Sequence, residues 1–200
     1  MSGSSRGGVP AELFDMGRLG RQLVHPSRMP ETGIRVAALD SAYSDSDTAD
    51  NSVLMGGIVQ TEDVPRPTLW LADCSFGKWP PERTPKEVAF FFKEFRPQRI
   101  VGERVNGSCY LEVLCRQEFA ALGINPRISW FSARAAQEKA YRIGKLVRLS
   151  REDRLRIITG PWVDTFLREC ESFTGLSKNK CRQDSLIDCA SMLCRFVGSF

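Results

Sequence analysis

Four carboxylates in this chain are spaced so that they could hold a metal ion. Asp40 closes the apolar run Ile34–Leu39, and Glu103 closes the run Arg99–Gly102. Both therefore stand at the C-terminal end of a short strand, where α/β sheets usually place ligands and reacting groups. Asp184 and Asp188 stand four residues apart at the start of an apolar-periodic segment, so a helix there presents both on one face. If that helix packs beside the two strands, four acids converge. Carboxylates this close repel and raise one another's pKa, so the cluster is predicted to require a counter-charge, most naturally a divalent cation. Oxygen-only ligation in a chain whose single histidine is His25 favours Mg²⁺ or Mn²⁺ over zinc. Each acid also has an ordinary role open to it. Asp184 could be the N-cap of its helix, Asp188 an exposed helix residue, Glu103 a solvated strand end, and Asp40 the start of an Asx-turn.

The elements that must position these acids are legible as alternating patterns. Ile34–Asp40, Val53–Gln60 and Thr68–Asp73 read as three strands joined by polar segments, an antiparallel meander. Thr84-Pro85-Lys86-Glu87 opens a helix to about Phe95, with Thr84 as N-cap and Glu87 completing a capping box. Arg99–Glu103 reads as a strand, Ser108–Leu122 as a helix stopped by Gly123, and Arg127–Phe131 as a further strand. Helical spacing follows Ser132 to about Leu149, although 146–158 also suits a hairpin. Pro161–Phe173 and Asp184–Val197 read as helices, with a polar loop over Thr174–Gln183. The predicted class is α/β, a mixed sheet with its first three strands antiparallel and helices on its faces. Residues 1–31, which open Ser/Gly-rich and lack sustained periodicity, read as a flexible tail or linker, leaving one domain over 32–200.

Composition narrows the partners. The 200 residues are 42% hydrophobic, enough for one substantial core, and no apolar run nears the ~20 residues of a membrane span. A soluble, intracellular protein is expected. Seven cysteines without a CxxC pair exclude the usual structural zinc spacing and point to free thiols. The net charge of +4 permits a polyanionic partner without requiring one. Basic residues concentrate in Arg134–Arg156, where eight stand against three acids, and Lys139, Arg142, Lys145 and Arg148 are candidate phosphate contacts. Placed three apart, they would spiral round a helix instead of forming one stripe, and a solvated helix face is the alternative.

Around the acids the chain resembles a known family. Ile34–Tyr43 with the acidic loop to Asp50, then Arg99-Ile100-Val101-Gly102-Glu103-Arg104-Val105-Asn106-Gly107, is similar to the first two nuclease motifs of viral DNA-packaging terminase large subunits. Lys139-Ala140-Tyr141-Arg142-Ile143 is similar to a basic signature of those proteins, and Arg182-Gln183-Asp184-Ser185-Leu186-Ile187-Asp188-Cys189-Ala190 resembles their C-terminal acidic motif. The resemblance spans roughly Ile34 to Val197. It implies an RNase H-like fold and an endonuclease that cuts double-stranded concatemeric viral DNA during packaging, by two-metal hydrolysis with Mg²⁺ or Mn²⁺. By the same analogy Asp40, Glu103 and Asp184 are the catalytic metal-binding carboxylates, with Asp188 in support and Asp50 as an accessory. The family's motif often pairs two aspartates where Asp184-Ser185 stands here, so either Asp184 or Asp188 could dominate.

Relatives carry an ATPase motor, but nothing here matches GxxxxGK[ST], so no ATP is expected in this chain. The resemblance implies partners in double-stranded DNA, an ATPase motor domain, a small terminase subunit and a portal, in the cytoplasm of an infected host cell. A Holliday-junction resolvase or a transposase core would place carboxylates similarly, and a module that docks on DNA or a packaging partner without cutting is the reading of another class.

Overall fold

The computed structural model describes residues 13–42, 51–103, 108–131, 136–173 and 184–197. Its centre is the meander expected from the sequence: β2 (Ile34–Asp40), β3 (Ser52–Gln60) and β4 (Thr68–Gly77) pair antiparallel in that order. Helix α2 (Thr84–Phe95) leads to β5 (Arg99–Glu103), and α3 (Ser108–Ala121) leads to β6 (Ile128–Phe131), each strand adding parallel beyond β2. After α4 (Ala136–Arg151) the chain crosses back, and β7 (Leu155–Ile158) lies parallel to β4. Helices α5 (Val163–Ser172) and α6 (Ser185–Val197) close the domain. The mixed sheet thus has helices on both faces, as the α/β reading requires.

The pleat sorts the strands between two cores, because successive side chains point to opposite faces. Val36, Ala38, Val53, Met55 and Val101 join one core with residues of α4, α5 and α6, whereas Ala37, Leu39, Leu54 and Ile100 join the other with residues of α2 and α3. Asp40 continues the first series along β2, and Glu103 continues it along β5. Helix α6 packs across β2, β3 and β4 with α4 beside it. Both acids therefore end on the face that α6 covers. Their neighbour Gly102 is confined by the opposite core, where an added Cβ would come 2.7 Å from the Trp130 ring. A side chain at Gly102 would push on Trp130 or shift β5, and Glu103 with it.

Two expectations need correction, and one open choice is settled. Residues 13–31 are not tail. Asp15 caps a short helix, α1 (Met16–Arg21), by accepting from the Arg18 N–H at 2.9 Å, and β1 (Leu23–Val24) pairs parallel with β7. Phe14 and Leu19 are buried in the first core, and buried Gln22 donates to the Ser150 carbonyl at 2.7 Å while accepting from the Ser150 hydroxyl at 2.9 Å. These elements are too short to show a period, so burial rather than pattern defines the boundary, and 1–12 lie outside the described residues.

Thr84 is not an N-cap either. Its N–H already bonds the Pro80 carbonyl in the preceding turn, Arg83 holds the cap position without a side-chain bond, and Glu87 pairs with Arg83 at 2.8 Å instead of closing a capping box. The ambiguity over 146–158 resolves as a helix followed by a strand. Asp153 turns the chain at φ +54°, a conformation aspartate tolerates comparatively well, and the Arg154 N–H closes the helix on the Leu149 carbonyl at 2.8 Å. No helix among the described residues is long and apolar enough to cross a membrane. The five described cysteines are free thiols, and burial pushes Cys115 and Cys194 up to about 12, far from the reactive thiolate range.

Candidate metal centre

The acids meet at one edge of the sheet. Leu39 pairs with Gly102, so the next residues along these parallel strands, Asp40 and Glu103, are neighbours. The first turn of α6 comes to the same edge. Cys189 donates its thiol to the Val53 carbonyl opposite Asp40, and its pKa is raised first by burial and then by the Asp40 charge. Asp188 precedes it, only 7% exposed.

What joins three of the four carboxylates, Glu103, Asp184 and Asp188, is a pair of cations from α4. Arg142 reaches Asp188 at 2.7 Å and Glu103 at 3.3 Å through the same Nη2. Lys139 reaches Asp184 at 3.0 Å and Asp188 at 3.3 Å. Burial alone would lower the Lys139 pKa, but Asp188 and Asp184 outweigh it and hold the ammonium above its usual value. Arg142 is 7% exposed, its guanidinium 5.2 Å from the centre of the Phe131 ring, which also carries the Arg195 guanidinium at 4.5 Å. The counter-charge expected most naturally from a divalent cation is thus supplied to Glu103, Asp184 and Asp188 by two protein cations.

The same geometry divides the four basic candidates. Lys139 and Arg142 face the acids and are occupied by them, whereas Lys145 and Arg148 point outward, Lys145 lying 4.8 Å from the centre of the exposed Tyr141 ring and Arg148 pairing with Glu152 at 3.9 Å. A four-residue step keeps two side chains on one face and a three-residue step lets them drift, which is how α4 serves both sides. Asp50 lies outside the described residues, as do Arg104–Gly107 of the Glu103 motif.

Asp184 holds the N-cap position of α6, since the Asp188 N–H bonds its carbonyl at 2.9 Å, yet the capping work is done elsewhere. The N–H groups of Leu186 and Ile187, those an N-cap side chain takes, both donate to Glu169 Oε2 on α5, at 2.9 and 3.1 Å. Glu169 is 4% exposed, and burial pushes its carboxyl up to about 7 against the lowering effect of those two bonds. The sequence reading missed this residue. Its signal was an acid in line with the apolar stripe of α5, Val163, Phe166 and Cys170.

A direct consequence concerns Asp184. As a cap, asparagine would replace it without loss and alanine would cost about 1 kcal/mol. Here both substitutions remove only the Lys139 pair, so Asp184→Asn and Asp184→Ala should melt at the same temperature in EDTA. A melt in which alanine alone is destabilised would return Asp184 to a capping role.

As they stand, no three of the described His, Cys, Asp or Glu side chains close round one ion, and Arg142 and Lys139 engage oxygens of Glu103, Asp184 and Asp188. The donor set nevertheless fits a hard cation. It offers only oxygens, the donors that Mg²⁺ and Mn²⁺ take.

Neither a family model nor a curated protein sequence matches the chain. Its fold does match solved structures. The large terminase nuclease of thermophilic phage G20c with bound magnesium superposes with a TM-score of 0.65 at 14% identity, over 94% of this chain and 98% of that one. The nuclease domain of the large terminase subunit of bacterial virus Sf6 gives 0.65 at 10% identity, over 91% of this chain and 97% of that one. A mutant of the Sf6 domain solved with manganese gives 0.58 at 12% identity, over 91% and 98%. This chain has the RNase H-like fold of those terminase nuclease domains, as the motif resemblance implied.

Proposed function

We propose that the chain is a divalent-metal-dependent endonuclease that cuts double-stranded DNA. The observation that carries this reading is the pairing of Glu103, Asp184 and Asp188 through Arg142 and Lys139 at the sheet edge where the strand register sets Asp40 beside Glu103. The fold shared with the G20c and Sf6 nuclease domains supports it, and their magnesium and manganese indicate Mg²⁺ or Mn²⁺ as the ion.

Asp40, Glu103 and Asp184 would hold the ion or ion pair, with Asp188 in support. Bound there, the metal supplies charge to activate an attacking water and to stabilise the leaving oxygen of a phosphodiester. The protein's own contribution is orientation. Strand ends fix Asp40 and Glu103, the α6 helix fixes Asp184 and Asp188, and Lys139 and Arg142 would stand beside the phosphate that is cut. Outward-facing Lys145 and Arg148 continue the positive surface along α4 toward flanking phosphates. Within this reading the substrate is concatemeric viral DNA, cut during genome packaging in an infected cell's cytoplasm, with an ATPase motor, a small terminase subunit and a portal as partners.

The decisive experiment incubates the purified chain with supercoiled plasmid in EDTA, Mg²⁺ and Mn²⁺. Nicked and linear products are expected with metal and not with EDTA. DNA binding without cutting in either metal would favour a docking module. The double substitution Lys145→Ala/Arg148→Ala should weaken binding equally across sequences and reduce the salt slope by up to about two, one for each phosphate no longer neutralised. An unchanged slope removes both residues from the DNA path.

A further inference from the structure

Glu169 does not touch the acid cluster's cations, yet it governs the helix that carries half of the cluster. Its Oε2 accepts from both Leu186 and Ile187, while Oε1 is buried with no hydrogen-bond partner among the described residues. A carboxyl placed so is costly, and the rest of its helix face is apolar, so packing alone does not call for it. Asp184, one residue before α6, is a strong capping type in the capping position, but its Oδ2 is engaged with Lys139 at 3.0 Å.

We infer that Glu169 is a positioning residue: it caps α6 in place of Asp184 and so keeps the Asp184 carboxylate turned to the acid cluster. Without it, two helix N–H groups lose their acceptor, and the nearest replacement is Asp184 itself. An Asp184 drawn back onto its own helix leaves Lys139 and Asp188, and the ligand set is one short. The inference concerns helix capping, and only its kinetic arm rests on the nuclease reading.

The test uses the full chain with Glu169→Leu, Glu169→Asp and Glu169→Gln. Leucine removes the acceptor, aspartate withdraws it by one methylene, and glutamine keeps a carbonyl of the same reach. The first measurement is a melting cycle in EDTA. Asp184→Ala should lower the melting temperature by about 2–4 °C more in the Glu169→Leu or Glu169→Asp background than in wild type, because Asp184 has become the cap. The second is the Mn²⁺ concentration for half-maximal plasmid cleavage. It should rise about 10–100-fold in Glu169→Leu and Glu169→Asp and stay near wild type in Glu169→Gln. Additive melts in that cycle overturn the inference. So does an unchanged Mn²⁺ midpoint in Glu169→Leu and Glu169→Asp while wild type cuts, since a merely structural glutamate would change melting and not metal demand. If leucine fails to fold, the aspartate and glutamine pair still decides. If wild type does not cut at all, the nuclease reading fails while the EDTA cycle continues to judge the cap.

Discussion

Asp40→Asn should lower metal-dependent plasmid cleavage by more than about a hundredfold, since losing even an outer partner of a metal ligand costs 10–100-fold and this change removes the charge of a proposed ligand itself. DNA affinity should stay within a small factor, because asparagine has nearly the same shape and the outward-facing basic residues are untouched. The backbone ladder to β3 and β5 does not depend on the Asp40 charge, so the variant should still fold. The measurements are plasmid cleavage over a Mn²⁺ series, a binding isotherm in EDTA and a thermal melt. Cleavage that survives within tenfold would place the reacting metal elsewhere.

Arg142 gives the largest expected effect on folding. Its guanidinium bridges two carboxylates at 9% and 16% side-chain exposure while itself 8% exposed, so Arg142→Met takes the guanidinium from both Asp188 and Glu103 and leaves Asp188 to Lys139. Breaking a buried pair on one side costs about 3–5 kcal/mol. At roughly 2–4 °C per kcal/mol for a chain of this size, the melting temperature in EDTA should fall by about 6–20 °C. Mn²⁺ should then raise it by more than in wild type, because the ion now meets carboxylates with no competing arginine. A variant that melts like wild type in EDTA, or is stabilised by Mn²⁺ no more than wild type, would show that Arg142 is not the counter-charge that stands in for metal.

The strand ends were legible because the chemistry and the pleat agree. Asp40 and Glu103 each close an apolar run, and parity along β2 and β5 sends both to the α6 face. The late helix was legible from its apolar period, and its two acids from their spacing. What the sequence did not disclose was how the charges pair. Spacing along α4 shows that Lys139, Arg142, Lys145 and Arg148 drift round the helix, but only the fold shows which of them meet the acids. Capping was the weakest inference, at α2 and at α6 alike. A threonine three residues before a glutamate looked like a capping box, yet the Pro80 turn and Arg83 claimed both partners. An aspartate opening a helix looked like its own cap, yet a glutamate from another helix had taken that role. In the first case the deciding contacts come from the turn just before the helix, and in the second from a residue on another helix.

Strand β1 has only two residues, but it lies along the outer side of β7, receiving the Ile157 N–H at Gln22 and the Thr159 N–H at Val24, each at 2.9 Å. It is the sheet's terminal guard. An excised domain that began at residue 32 would present β7 as a bare edge beside the cavity vacated by Phe14 and Leu19, an invitation to intermolecular strand pairing and aggregation.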